Sequence, residues 1–411
     1  MPSKELLKEY AKLAVKLGTN PKKGQYLVIT APVEAHEFVE LCVKEAYDHG
    51  AGFVSVDWTD RVITRMNYER VDTEILKEVP DWRIAKIKNA IEKGYCTLHI
   101  DSPDPELLEG IDPNKIKEVQ MESMKATKPY QYYSMNNIGQ WSIVAYPNKR
   151  WAKKVFPDLD EDEAYEKLWD AILYTSRVFE GKDVVKEWEE HNKEMHRHSK
   201  ILNDYAFEKL HFKNSLGTDL IVHLVDGHIW CGGDEKTPDD QIFNPNIPTE
   251  EVFTMPNHRA IDGTVVSTKP LSYSGKLISR FTLTFKDGKV IKAQADDNQE
   301  TLDQILATDE GSKSLGEVAL ISYDSPISNS GILFYDTLFD ENASCHLALG
   351  ACYPTTIVGG EKMTTEELYA KGGNDSMNHV DFMFGSKDMS VIGITKEGRE
   401  IEVFKDGNFC I

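Results

Sequence analysis

The chain is poor in positive charge. Its 411 residues carry 47 Lys and Arg against 68 Asp and Glu, a formal net charge of -21 at pH 7. Nucleic-acid binders need a basic face and anionic membrane surfaces attract basic segments, so neither partner is expected. The same charge would attract a peptide with a free α-ammonium group, although it also simply promotes solubility. Long apolar runs are missing too: none approaches the ~18 residues of a membrane span. The first residues, Met1 to Glu9, read as a charged amphipathic helix start, so no signal peptide is expected. Cysteine is sparse and scattered: Cys42, Cys96, Cys231, Cys345, Cys352 and Cys410 form no C-x-x-C pair. A disulfide framework is therefore not expected, and reduced thiols in a cytoplasmic protein fit best. Neither a Gly-rich phosphate loop nor a G-x-S-x-G nucleophile elbow occurs. His36-Glu37-Phe38-Val39-Glu40 begins like a zinc-protease helix but lacks the second His, and reads as helix surface.

What is present is an ordinary globular composition, 40% hydrophobic and 28% charged, in a chain long enough for two domains. Leu6, Leu7, Tyr10, Leu13, Ala14 and Leu17 repeat at helical spacing. The apolar run Tyr26 to Ile29 between Gly24 and Pro32 reads as a buried strand. A helix from about Ala35 to Tyr47, a strand at Phe53 to Val56, a helix from about Trp82 to Glu92 and strands at Thr97 to Ile100 and Ser142 to Ala145 follow. This rhythm predicts a largely parallel sheet covered by helices. A polar helical stretch from about Glu161 to Ile201 ends in a charged tract, Lys182 to Lys200, expected to be a solvated helix bridging two domains.

The second half reads as mostly β, with one or two inserted helices. Leu220 to Leu224, Val265 to Ser267, Phe281 to Phe285 and Lys289 to Ile291 are short strands, with Asp287-Gly288 a hairpin signal. Ser390 to Ile394 and Ile401 to Phe404, separated by Lys396-Glu397-Gly398, suggest another hairpin. The expected fold class is thus α+β with two domains: 1–200 an N-terminal α/β domain, 201–411 a C-terminal β-rich domain.

Six residues of that second half are metal-ligand types: Glu251, Glu317, His346, Tyr353, His379 and Asp381. Carboxylate plus imidazole without cysteine suits hydrolytic Zn, Co or Mn sites rather than structural zinc. The run Asn342 to Tyr353 predicts a helix with Asn342 as N-cap, which would set His346 and Tyr353 on one face. Alone, it equally describes a core His and a core Tyr. His379-Val380-Asp381, if extended, points an imidazole and a carboxylate to one side, and a surface pair has the same pattern. Glu251 lies in a Pro-bounded, strand-like segment, Pro248 to Pro256, with Glu250 facing the other way. Glu317 begins an apolar strand, where a carboxylate is costly to bury unpaired unless a cation sits beside it. His191, His196 and His198 lie in the charged tract, with no carboxylate-rich pocket expected around them.

These residues also carry a resemblance. Pro248-Thr249-Glu250-Glu251-Val252-Phe253-Thr254, Thr337 to His346, His379-Val380-Asp381, Gly316-Glu317 and Asn214 to Leu220 resemble the aminopeptidase T / aminopeptidase S family of dinuclear metallo-aminopeptidases. The resemblance implies two divalent metal ions per subunit, a homodimer enclosing its active sites, and release of N-terminal amino acids from peptides. It also implies Glu251, Glu317, His346, His379 and Asp381 as metal ligands and Tyr353 as a ligand or transition-state hydrogen-bond donor; which carboxylate bridges the metals is not legible in the sequence, and Glu317 is taken here as the choice. A dinuclear amidase or phosphoesterase, or a binding protein with a structural cation, would use similar residues.

Overall fold

The computed structural model describes residues 1–273 and 276–411. The chain divides into two compact units, Met1–Glu189 with Asp234–Pro248, and Glu190–Gly233 with Thr249–Ile411.

The first unit is built on a parallel sheet. Its strands run in the order Phe53–Thr59, Tyr26–Pro32, Cys96–Asp101, Trp141–Ala145 and Asn246–Ile247, every neighbouring pair parallel. Leu27, Val28 and Ile29 are all buried, as expected of a strand covered on both faces. The helix His36–His49 buries Phe38, Val39, Cys42 and Ala46 and stops at Gly50, whose φ of 107° suits glycine. His36 is exposed on it, as expected for helix surface. The α/β reading of this half therefore holds.

The polar stretch after Glu161 departs from expectation. It forms two helices, Glu161–Thr175 and Val184–Tyr205, separated where Arg177 and Gly181 adopt positive φ. The charged tract is not solvated all round either. Val184, Trp188, Asn192, Met195, Ser199 and Leu202 are buried at helical spacing, so one stripe of this polar helix is inside.

Among its described residues the second unit contains two larger antiparallel sheets besides the two-stranded pair Leu271–Tyr273 and Lys276–Ile278. The larger has eight strands, ordered Lys289–Ala295, Phe281–Lys286, Pro256–Val266, Asp219–Leu224, Lys209–Lys213, Ser390–Ile394, Glu400–Lys405 and Asn408–Phe409. Both expected hairpins are in it. The first turns at Asp287 and Gly288, with φ of 48° and 80°. The smaller sheet has four strands, Val252–Thr254, Leu315–Leu320, His346–Gly350 and His379–Met383. One apolar core joins residues of both sheets, among them Leu220, Val265, Phe281, Val318, Leu347, Leu349 and Phe382. All six cysteines are free thiols. Among the described residues, no helix is long and apolar enough to cross a membrane.

Candidate metal centre

The smaller sheet sorts its side chains by the two-residue period of a strand. In His346-Leu347-Ala348-Leu349-Gly350, the leucines enter the core while His346, Ala348 and Gly350 share the opposite face. Ala348 pairs with Glu317 on one side and Asp381 on the other. Directly paired residues project to the same face, so Glu317 and Asp381 flank a methyl group. Gly350 pairs with His379, two residues before Asp381. Gly350 has φ 116°, and a Cβ there would sit 2.1 Å from the Asn378 carbonyl oxygen. Small residues thus clear a floor, and acids and imidazoles rim it.

The expected helix from Asn342 to Tyr353 is overturned. His346–Gly350 is a strand, because the apolar residues of that run alternate and meet the core of an antiparallel sheet. Asn342 is not an N-cap but sits in a short 3-10 turn, Glu341–Ala343. Tyr353 comes back to the site in a loop, its ring edge-on to His379 with centroids 4.9 Å apart. His379 and Asp381 do lie on one extended strand.

Both imidazoles are oriented from behind. His346 Nδ1 donates to the Glu341 carbonyl at 2.9 Å, and His379 Nδ1 donates to the Ala351 carbonyl at 2.8 Å. Each ring is thereby fixed with Nε2 toward the acids. His346 Nε2 lies 3.1 Å from Glu251 Oε2, 3.3 Å from Glu317 Oε1 and 4.0 Å from Asp381 Oδ1. His379 Nε2 lies 3.4 Å from Glu317 Oε2 and 3.3 Å from Asp381 Oδ1. Two groups of donors result, Glu251–Glu317–His346 and Glu317–His379–Asp381, each with one atom per residue mutually within 4.8 Å. Glu317 belongs to both.

The electrostatics of this cluster demand positive charge. Burial by itself would lower the pKa of His346 and His379, but the surrounding carboxylates outweigh it and hold both well above the ordinary value. Burial would likewise raise Glu317 and Asp381, yet the imidazoles beside them pull both below the ordinary range. Glu251 is pushed up, chiefly by burial. Glu341 is pushed well up by burial and by the charges of Asp381 and Glu251, which places its carboxyl in the same field. Several buried carboxylates with neutral imidazoles would leave a costly uncompensated negative charge.

The donor chemistry fits divalent cations. It is all oxygen and imidazole nitrogen, the set that accepts Zn, Co or Mn. Asp381 Oδ1 is buried without a hydrogen-bond partner, the imidazole of His379 being near but poorly aligned. Neither donor group includes a thiol, and Cys345 Sγ is engaged by the backbone of Ile321 instead.

All six sequence-derived residues therefore converge on one face of the second unit. Glu250 turns the other way, toward His191, as the extended reading of that segment required; its Oε2 lies 3.8 Å from His191 Nε2. His191 is mostly buried there, contrary to its expected place in a solvated helix with no acid near it. Sequence reading missed Glu341 and the carbonyls that aim the two rings. Glu341 stands in the stretch before His346, and its place in the field of Asp381 and Glu251, invisible in the residue string, is what distinguishes it.

The family model for thermophilic metalloprotease (M29) matches residues 3–409. The chain is 43% identical to Aminopeptidase 2 of Geobacillus stearothermophilus over 98% of its length and 97% of that protein. It is 43% identical to Aminopeptidase AmpS of Bacillus subtilis over 98% of both chains. The solved structure of wild-type AmpT from Thermus thermophilus superposes with TM-score 0.92 at 37% identity, covering 99% of this chain and 100% of that one. The match to the family model and to these relatives runs over nearly the whole chain, and the chain belongs to the thermophilic metalloprotease family M29.

Proposed function

We propose that this metallo-aminopeptidase works through two divalent cations, one held by Glu251, Glu317 and His346 and the other by Glu317, His379 and Asp381. One observation carries the reading: Glu317 turns Oε1 to His346 at 3.3 Å and Oε2 to His379 at 3.4 Å. A carboxylate with its two oxygens in two donor groups is suited to bridge them. Zn, Co and Mn all suit such donors.

Bound cations would polarise a scissile carbonyl and make a water nucleophilic near neutral pH. The chain's own residues supply the rest. The Tyr353 hydroxyl, fixed by edge contacts with His379 and Phe253, is placed to donate a hydrogen bond to a developing oxyanion. Glu341, whose carboxyl pKa is pushed up by burial and by the charges of Asp381 and Glu251 in the metal-free chain, is the candidate to carry a proton toward the leaving amine. Glu250 faces away and is assigned no proton transfer. The substrates are peptides with a free N-terminus, the molecules on which the named relatives act as aminopeptidases. Six free thiols fit a reducing cytoplasm. The homodimer implied by the family resemblance is checked by molar mass in solution.

Metal analysis of the purified protein, with hydrolysis of amino-acid anilides before and after EDTA, tests the proposal. About two equivalents of metal and EDTA-sensitive anilide hydrolysis are expected. Activity that survives complete metal removal would refute it, and preference for phosphate esters would move the reading to a phosphoesterase.

A further inference from the structure

The peptide group between Thr249 and Glu250 is gripped at both ends by side chains from distant parts of the chain, one buried and one mostly buried. At one end the Thr249 carbonyl accepts a hydrogen bond from His191 Nε2 at 2.7 Å. At the other, the Glu250 N–H donates to Asn342 Oδ1 at 2.8 Å. Asn342 is fully buried, and its own amide is oriented by Nδ2 donating to the Leu338 carbonyl at 3.0 Å. His191 rides on the helix Val184–Tyr205, and its side chain is 11% exposed. Beyond Glu251 the chain is pinned again, because Phe253 and Cys231 exchange backbone hydrogen bonds at 2.9 Å. Glu251 therefore stands between two fixed points. Rotation of the 249–250 peptide plane would swing its Cα and move its carboxylate off His346.

We infer that His191 and Asn342 are positioning residues that set the metal affinity of the Glu251–Glu317–His346 group. This rests on the metal reading given above. Partners that orient a ligand typically change metal affinity about 10- to 100-fold when removed. Asn342 has a double part, since the turn that holds it also presents the Glu341 carbonyl to His346. One short segment thus sets both sides of the 3.1 Å approach between His346 and Glu251.

The test is zinc binding to the whole protein by competition with a chromogenic chelator, alongside thermal unfolding of the metal-free form. His191→Leu and Asn342→Leu are each expected to weaken one of two zinc equivalents by about tenfold or more and leave the other nearly unchanged. The double variant should lose little beyond the worse single one, because both side chains hold one peptide group. His191→Gln, whose amide can donate to the same carbonyl, should bind zinc nearly as tightly as wild type. Unchanged zinc affinity in both leucine variants, simple additivity, or a His191→Gln as weak as His191→Leu overturns the inference. If Asn342→Leu does not fold, the two His191 variants decide. Wild type that binds no zinc overturns the metal reading and this inference together, whereas normal wild-type binding with insensitive variants overturns this inference alone.

Discussion

His346 Nε2 stands 3.1 Å from Glu251 Oε2, and both groups are buried. Such a contact needs a proton between the two groups, on the imidazole or on the Glu251 carboxyl whose pKa burial raises, or a cation beside the pair. His346→Ala removes one donor from the Glu251–Glu317 group. Anilide hydrolysis is expected to fall by at least about 10²-fold and metal content toward one equivalent, given what loss of a ligand does to affinity. Full activity with two metals bound would sink the assignment.

Stability of the metal-free protein should depend on pH with a definite sign. His346 and His379 have folded pKa values raised above the ordinary ~6.5. Their contribution is fully present below that value and is lost as pH rises through the folded pKa. Raised Glu251 and Glu341 act in the same direction, from the ordinary carboxyl range upward. Depressed Glu317 and Asp381 act oppositely, their contribution being lost as pH falls through their folded values. The unfolding temperature in EDTA should therefore decline as pH rises above about 6.5. With saturating zinc the decline should vanish, because metal binding favours deprotonated ligands. A metal-free protein whose unfolding temperature rises from pH 6 to 9 would contradict the site's electrostatics.

Tyr353→Phe separates ligand from hydrogen-bond donor. The charge of His379 would lower the phenol pKa, but burial and the nearby acids outweigh it, so in the metal-free chain Tyr353 keeps its proton and can donate. The variant should keep its metal content and KM while kcat falls by about 10²-fold, the scale for losing one oxyanion donor. Loss of a metal equivalent instead would make Tyr353 a ligand.

Much of this site could be read from residue types and spacing, and the failures have physical causes. His379-Val380-Asp381 was legible because a strand period is short and local, and the α/β rhythm of the first unit because its strands are nearly uniformly apolar. The run His346 to Tyr353 misled because a histidine and a tyrosine seven positions apart satisfy a helix, while the Leu347 and Leu349 alternation satisfies a strand. Only the core those leucines enter decides between them. His191 was passed over for a similar reason. Its neighbours in sequence are charged and solvated, but its side chain lies on the buried stripe, against a turn far along the chain. Sequence shows which groups are available; the register of Glu317, Ala348 and Asp381 across three strands is a tertiary fact.

That register yields the last prediction. Ala348 is fully buried and lies directly between Glu317 and Asp381 on the site face. Leucine at this position would extend into the space those two carboxylates rim, while the backbone, the flanking leucines and the pairing of the strand are left as they are. Overpacking of this kind costs about 1–3 kcal/mol, so Ala348→Leu should fold with a modestly lower unfolding temperature. Its metal content should drop sharply, because the added side chain separates Glu317 from Asp381 rather than removing a ligand. Ala348→Gly, which opens the same space, should keep both metals and most of the activity. If Ala348→Leu binds two metals with wild-type affinity, the face of the sheet on which the cations are placed is wrong, whatever the identity of the ligands.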